Sequence, residues 1–355
     1  MISIVLGTRP EIIKMMPLVK ECERRGLEFE IVHSGQHYSF DMDSLFFSQL
    51  GLPEADHKLE VGSGRHGEQS ARILERCEGV FARSSPSVVL VQGDTNTVMA
   101  ASLAASKMNI PVGHVEAGLR SYDRSMPEEL NRIVSDHLSR FLFAPTSVSK
   151  NNLEAEGISE NVHVTGNTIV DAVLRIREVA DVDSVLSQLG LKKGGFVLAT
   201  AHRAENVDSE QRLRRIVEGL NAVSDALSMP VVLPMHPRTA KMLDAYHIDK
   251  GSIVATDPLG VLQFVALESS AALCMTDSGG VQEEACILGT PCVTMRDNTE
   301  RPETVDVGAN VLVGADVEKM VAEAGRMVDA AAWENPFGDG GSAQRIIGIL
   351  EKEVD

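Results

Sequence analysis

The chain has 355 residues, 43% of them hydrophobic and 24% charged, which is enough apolar material for two cores and too much chain for one ordinary domain. A net charge of −18 argues against nucleic acid or an anionic membrane as partner, so a phosphate ligand must be held by a few local cations. Five cysteines lack CxxC or metal-ligand spacing and read as buried free thiols; with a short, charge-interrupted first apolar run, they predict a cytoplasmic protein without signal peptide or membrane span.

Short β-branched runs alternate with helical patterns along the chain. Strands are predicted at 2–6, 29–33, 88–91, 112–115, 141–144 and 162–165. A second series follows at 196–200, 231–234, 252–255, 271–275, 292–295 and 310–313. Helical patterns between them include 12–25, 97–107, 128–139, 210–227 and 281–288. Such alternation implies parallel sheets covered on both faces, hence an α/β chain with two doubly wound, Rossmann-like domains facing each other. The expected boundaries are 1–167 and 168–342, with a glycine-rich break at 338–342 and a closing helix, 343–355, crossing back to the first domain.

The motifs sit at the carboxyl ends of the predicted strands, where ligands of open α/β sheets bind. GTRPEIIK follows the first strand, with Arg9 and Lys14 placed either for a diphosphate or as a solvated pair beside Glu11. SGQHYSF follows the second, where His37 either lines a crevice or closes a loop. Asp94 in QGDTNT and Glu116 in GHVEAGLRS lie just beyond two further strands; Asp94 also reads as a helix cap, whereas Glu116 has no such structural excuse. Glu128, in SMPEELNR, sits in a helix first turn, where carboxylates commonly complement the dipole. Three converging carboxylates without metal-ligand histidine spacing point to acid/base chemistry.

In the second half, His202 and Arg203 end one strand and His236 ends the next. DPLGVLQF offers a loop and Phe264 to a base. The stretch MTDSGGVQEEACILGTPCVTMRDNTERPE then gives a strand, a Ser278-Gly279-Gly280 turn and a helix start, which together form an anion site. Glu283 and Glu284 follow for sugar hydroxyls, with Arg296 and Arg301 for phosphate or carboxylate. No GxGxxG or GxxxxGK[ST] occurs, so dinucleotide and ATP readings lack support.

GTRPEIIK, QGDTNT, GHVEAGLRS, PEELNR, GNTIVDA, AHRAEN, TDSGGVQEEA, GTP and MRDNTERPE, in this order over nearly the whole chain, resemble the non-hydrolysing UDP-N-acetylglucosamine 2-epimerases. The resemblance implies the B-type glycosyltransferase-like fold with an interdomain active site. It also implies reversible conversion of UDP-GlcNAc to UDP-ManNAc, supplying ManNAc-type sugars for surface polysaccharide or glycan synthesis, with no metal or other cofactor. Asp94, Glu116, Glu128 and His202 would be catalytic. Arg9, Lys14, Phe264, Ser278, Gly279, Gly280, Glu284 and Arg301 would bind UDP or sugar. A homodimer is implied, and an activating UDP-GlcNAc site to which Gln36, His37, Arg65 and His236 would contribute. Leu259 departs from the polar residue of many relatives, which leaves base recognition there to the backbone.

Three alternatives remain at this stage. A hydrolysing 2-epimerase would release ManNAc and UDP, but such relatives carry an Ala-Asp-type sequence in place of Arg9-Pro10-Glu11. A retaining glycosyltransferase of the same fold would need an acceptor site. A non-catalytic UDP-sugar sensor would bind without turnover.

Overall fold

The computed structural model describes residues 1–36 and 46–353. Thirteen strands appear among them. In the first half these are β1 (Ile2–Leu6), β2 (Phe29–His33), β3 (His57–Lys58), β4 (Val88–Gln92), β5 (Val112–Val115), β6 (Phe141–Ala144) and β7 (Val162–Val164). The second half contributes β8 (Val197–Thr200), β9 (Val231–Pro234), β10 (Val254–Thr256), β11 (Leu273–Thr276), β12 (Cys292–Thr294) and β13 (Asn310–Leu312).

Among the described residues the strand pairings are parallel, and the strands form two sheets, β3-β2-β1-β4-β5-β6-β7 and β10-β9-β8-β11-β12-β13. Both orders step outward from a first strand and then jump to its other side, the doubly wound arrangement. In each sheet the direction of winding reverses between the first and fourth strands, β1 and β4 in one, β8 and β11 in the other. β1, β4, β5 and β6 are buried along their whole length, as expected of strands covered on both faces. The two-residue edge strand β3 is too short to leave a sequence signal, which is why the predicted series had six strands where the sheet has seven.

Two compact units result, one of Met1–Ala172 with Phe337–Asp355 and the other of Val173–Pro336. The closing helix, Ser342–Glu353, belongs to the first unit and packs on the Arg9–Arg25 helix. Arg25 ion-pairs there with Glu351 and donates to the Gln344 carbonyl at 3.0 Å. The Arg9–Arg25 helix opens on Thr8 with Pro10 in its first turn and stops at Gly26, whose φ of 69° lies in the left-handed region that ends helices.

In the second unit, residues of β8, β9 and β11 pack with the Glu210–Leu227 and Val317–Met327 helices around Leu213, Ile216, Leu220, Met275 and Met320. All five cysteines are buried and unpaired in disulfides. No helix among the described residues is long and apolar enough to cross a membrane.

Candidate active site

In the first unit the turn after β1 is tight. A Cβ on Gly7 would fall 1.9 Å from Ser34 Oγ, so only glycine lets the chain pass there. Glu11 Oε2 accepts from the Gly7 and Thr8 amides at 2.6 and 2.8 Å, and Oε1 accepts from Thr95 Oγ1 at 2.5 Å. The sequence reading named Glu11 only as the neighbour of Arg9 and Lys14; the structure buries it to 2% exposure. Burial raises its pKa to about 7, against the pull of the Thr95, Gly7 and Thr8 hydrogen bonds. Arg9 lies with its guanidinium 5.8 Å from the centre of the Phe46 ring.

Lys14 Nζ donates to both oxygens of Glu116, at 2.7 and 2.9 Å. Gln92 at the end of β4 also donates to that carboxylate, and Asn167 does so at 3.3 Å. Glu116 follows β5 with φ at +71°, a conformation that costs a residue with a side chain and is retained where its surroundings over-determine it. Asp94 lies beyond the neighbouring strand β4. Arg132 grips its Oδ2 through Nε at 3.0 Å and Nη2 at 2.8 Å, and Asn131 donates to its carbonyl at 2.9 Å. The helix cap is not Asp94: Thr95 Oγ1 takes that place and accepts from the Val98 amide at 3.4 Å.

Glu128 is exposed at the start of the Pro127–Leu138 helix. Its neighbour Glu129 is buried and accepts from the Ser121 and Tyr122 amides, both at 2.9 Å, and from Arg132. Gln36 Oε1 accepts from the Thr97 amide and hydroxyl at 3.1 and 2.7 Å, tying it to the start of the Asn96–Lys107 helix. Arg65 is exposed at the N-terminus of the His66–Ser84 helix. His37 lies outside the described residues.

In the second unit β8 and β11 run in register to Thr200 and Thr276, whose hydroxyls meet at 2.5 Å. Beyond them lie His202 and Asp277. The fully buried Asp277 carboxylate accepts from the His202 and Arg203 amides and from Asn206 Nδ2 at 2.9–3.1 Å. His202 Nδ1 lies 3.5 Å from Asp277 Oδ1, and its ring centre lies 5.3 Å from that of His236. Burial lowers the His202 pKa; Asp277 opposes this, and His236, Arg203 and Arg238 add to it. His236 Nδ1 accepts from the Arg238 amide at 3.2 Å and caps the Pro237–Ala245 helix, so this histidine stands beside His202.

Ser278, Gly279 and Gly280 open the Gly279–Leu288 helix directly from β11. The Ser278 side chain makes no capping bond, and the first-turn amides of a helix have no partner within it. A Cβ added at Gly279 or Gly280 would make ordinary van der Waals contact, with Glu300 Oε2 at 3.7 Å in the first case and with Ser278 Oγ and Glu284 Oε1 at 3.8 and 4.0 Å in the second. Glu268, completely buried at the end of the Val261–Glu268 helix, is pushed well above the usual carboxylate range by burial and by the Glu284 carboxylate.

Arg301 Nε reaches Glu283 Oε2 at 3.3 Å. Arg296, read from sequence as placed for phosphate or carboxylate, meets carboxylates: it binds Glu205 at 2.7 Å and both Glu300 oxygens at 2.7 and 3.0 Å. The Arg296 hydrogen bonds hold Glu300 down to about 2. Phe264 is half-buried with Leu259 against the core around Leu198 and Cys274.

Sequence reasoning found the strand-end carboxylates and the glycine turn but missed their supports, Arg132, Gln92, Asn167, Asp277 and Glu268. Arg132, Gln92, Asn167 and Asp277 were all inside the motifs; the only signal available was their polar chemistry next to residues already singled out.

These features define an α/β protein of doubly wound units, with a supported pair of strand-end carboxylates in one and an uncapped helix start beside a histidine in the other. The family profile described as UDP-N-acetylglucosamine 2-epimerase matches residues 20–351, and the chain belongs to that family. It is 50% identical over 360 residues to the UDP-N-acetylglucosamine 2-epimerase of Methanocaldococcus jannaschii, covering 98% of each chain. The crystal structure of that organism's UDP-GlcNAc 2-epimerase in complex with UDP-GlcNAc and UDP superimposes with a TM-score of 0.85 at 49% identity, covering 99% of both chains. A Pseudomonas aeruginosa relative, a UDP-2,3-diacetamido-2,3-dideoxy-D-glucuronate 2-epimerase, is 42% identical over 355 residues, again 98% of each chain.

Proposed function

We propose that the protein interconverts UDP-GlcNAc and UDP-ManNAc without releasing the free sugar. The C2 proton is not α to a carbonyl, so a carboxylate cannot remove it directly. When the C1–O bond breaks, UDP leaves with the electron pair and the ring gains oxocarbenium character that acidifies C2–H. Loss of that proton gives 2-acetamidoglucal; a proton then returns to the other face of C2 and UDP re-adds at C1. No net oxidation occurs, and the steps require only acid/base groups and stabilisation of the departing diphosphate.

The observation that carries this reading is the Glu116 carboxylate, held in left-handed backbone by Lys14, Gln92 and Asn167 on the strand next to the Asp94–Arg132 pair. In this reading Asp94, Glu116 and Glu128 are the acid/base set. His202, Ser278, Gly279, Gly280 and Arg301 receive the diphosphate. Glu284 takes ribose hydroxyls, and Phe264 lies by the uracil. Arg9-Pro10-Glu11, with Glu11 folded into the turn, supports the non-hydrolysing over the hydrolysing reaction.

The 42% identical relative favours one second reading, in which the sugar is the 2,3-diacetamido uronate. Proton NMR of each sugar nucleotide incubated with the protein in D₂O tests both. UDP-ManNAc with deuterium at C2 of both epimers is expected from UDP-GlcNAc. Free ManNAc and UDP would instead show a hydrolase, and exchange confined to the uronate would move the substrate.

A further inference from the structure

Behind the strand-end carboxylates lies a charged group that the proposed reaction does not use. His114, in β5, is completely buried. Its Nε2 lies 2.8 Å from the Gly93 carbonyl, which can only accept, so Nε2 carries a proton. Its Nδ1 lies 2.6 Å from Asp136 Oδ1. The other oxygen of Asp136 accepts from Arg120 Nη1 at 2.7 Å and from the Gly118 amide at 3.2 Å. A carboxylate that collects an arginine and an amide is ionised, so Nδ1 must carry a proton too.

Charge and pKa agree with this geometry. Burial works against a charged imidazole, yet Asp136, with smaller help from the Gly93 carbonyl and Glu116, raises the His114 pKa above its usual value. The groups facing it are Asp136 from the Pro127–Leu138 helix, the Gly93 carbonyl just beyond β4 and Glu116 just beyond its own strand. Arg120 approaches through Asp136 and is itself bound bidentately by Glu156, both contacts at 2.7 Å. Two cations thus balance two anions. Removing the imidazolium proton would leave net negative charge directly behind Glu116.

The two ends of the pair reach the two turns that matter. Gly93, with φ at +85°, immediately precedes Asp94; Gly118, with φ at +79°, follows Glu116 by two residues. His114 pins the first turn and Asp136 the second. We propose that His114, as an imidazolium held by Asp136, is a positioning residue that clamps the turns at Gly93 and Gly118 and so sets the aim of Asp94 and Glu116. The proposal rests on the acid/base reading of those two carboxylates.

Nitrogen NMR of protein labelled in its histidine rings tests the charge, with the resonance assigned by its loss in His114→Gln. Both ring nitrogens should read as protonated at about pH 8, well above the ordinary imidazole range. A neutral single tautomer there would overturn the proposal. Kinetics of His114→Gln and Asp136→Asn test the positioning role. Turnover should fall by roughly ten- to a hundredfold while KM for the sugar nucleotide changes little, as expected when reacting groups are misaimed and binding is kept. Asp136→Asn should also convert His114 to the neutral Nε2–H tautomer at that pH. Unchanged turnover in either folded variant, or equal losses through KM, would overturn the clamp. If neither variant folds, the pair is structural and the proposal fails. Wild-type protein that exchanges C2 of neither sugar nucleotide would sink the acid/base reading and the clamp with it, an outcome distinct because it appears before any variant is made.

Discussion

Glu116 sits in left-handed backbone at the end of β5, which for a residue bearing a side chain costs about 1–3 kcal/mol. Lys14, Gln92 and Asn167 all donate to its carboxylate, so the strained geometry is fixed from three sides. Glu116→Gln keeps the shape and removes the charge. It should lower C2 exchange by roughly 10²–10⁴-fold while UDP affinity stays within a few-fold, the expected loss for an acid/base group. Equal exchange in variant and wild type would remove Glu116 from the reaction.

Glu11 gives a pH signature. Its folded pKa of about 7 stands above the ordinary 4.5, so the fold favours the neutral acid. Its contribution to stability is therefore fully present below about pH 4.5 and is lost as pH rises through about 7. A gap of that size corresponds to about 3 kcal/mol. Urea unfolding of wild type and Glu11→Gln at about pH 5 and pH 8 should show the wild type losing most of it, about 2.5 kcal/mol, relative to the variant, the rest being lost below pH 5. Parallel pH dependence would mean that Glu11 titrates as an ordinary carboxylate. Asp94, Glu116 and His202 were legible because each directly follows an apolar run. Their partners were not, because Arg132, Gln92 and Asp277 stand 38, 24 and 75 residues away and meet them only through the sheet.

At the scale of elements, the strand–helix alternation was read almost throughout because β-branched runs and helical periodicity are local properties. Strand order, and hence the location of each switch point, is not local. It emerges only when β4 is seen beside β1 and β11 beside β8. The turns are held by glycines with different demands. A Cβ on Gly118 would lie 2.2 Å from the Ser149 carbonyl oxygen and its φ is +79°, so Gly118→Ala should cost about 2–4 kcal/mol through overpacking and backbone strain together. At Gly26 the φ is also positive but nothing lies within 4 Å, and Gly26→Ala should cost only about 1 kcal/mol. Equal losses in urea unfolding would show that the Ser149 contact is readily relieved.

The start of the Gly279–Leu288 helix makes a further demand. UDP alone should slow hydrogen exchange at Gly279, Gly280 and Val281. Protection absent from these amides would move the diphosphate elsewhere.

Over the whole molecule, a chain of charge −18 has few cations to spare for its candidate site, and several of them are already spoken for. Lys14 is paired with Glu116, Arg132 with Asp94, and Arg296 with Glu205 and Glu300. That pairing was not readable from composition, which counts charges without saying who holds them.

The burial of all five cysteines turns them into chemical clocks. Cys22 and Cys77 lie in the first unit, Cys274, Cys286 and Cys292 in the second, and burial lifts every one of these thiols above its ordinary pKa. A thiol reagent can reach them only when the surrounding unit opens. Alkylation followed by mass spectrometry therefore times the opening of each half separately without any engineered label. With UDP present, modification of the three second-unit sulfurs should slow while Cys22 and Cys77 keep their pace. If all five slow together, the halves open as one.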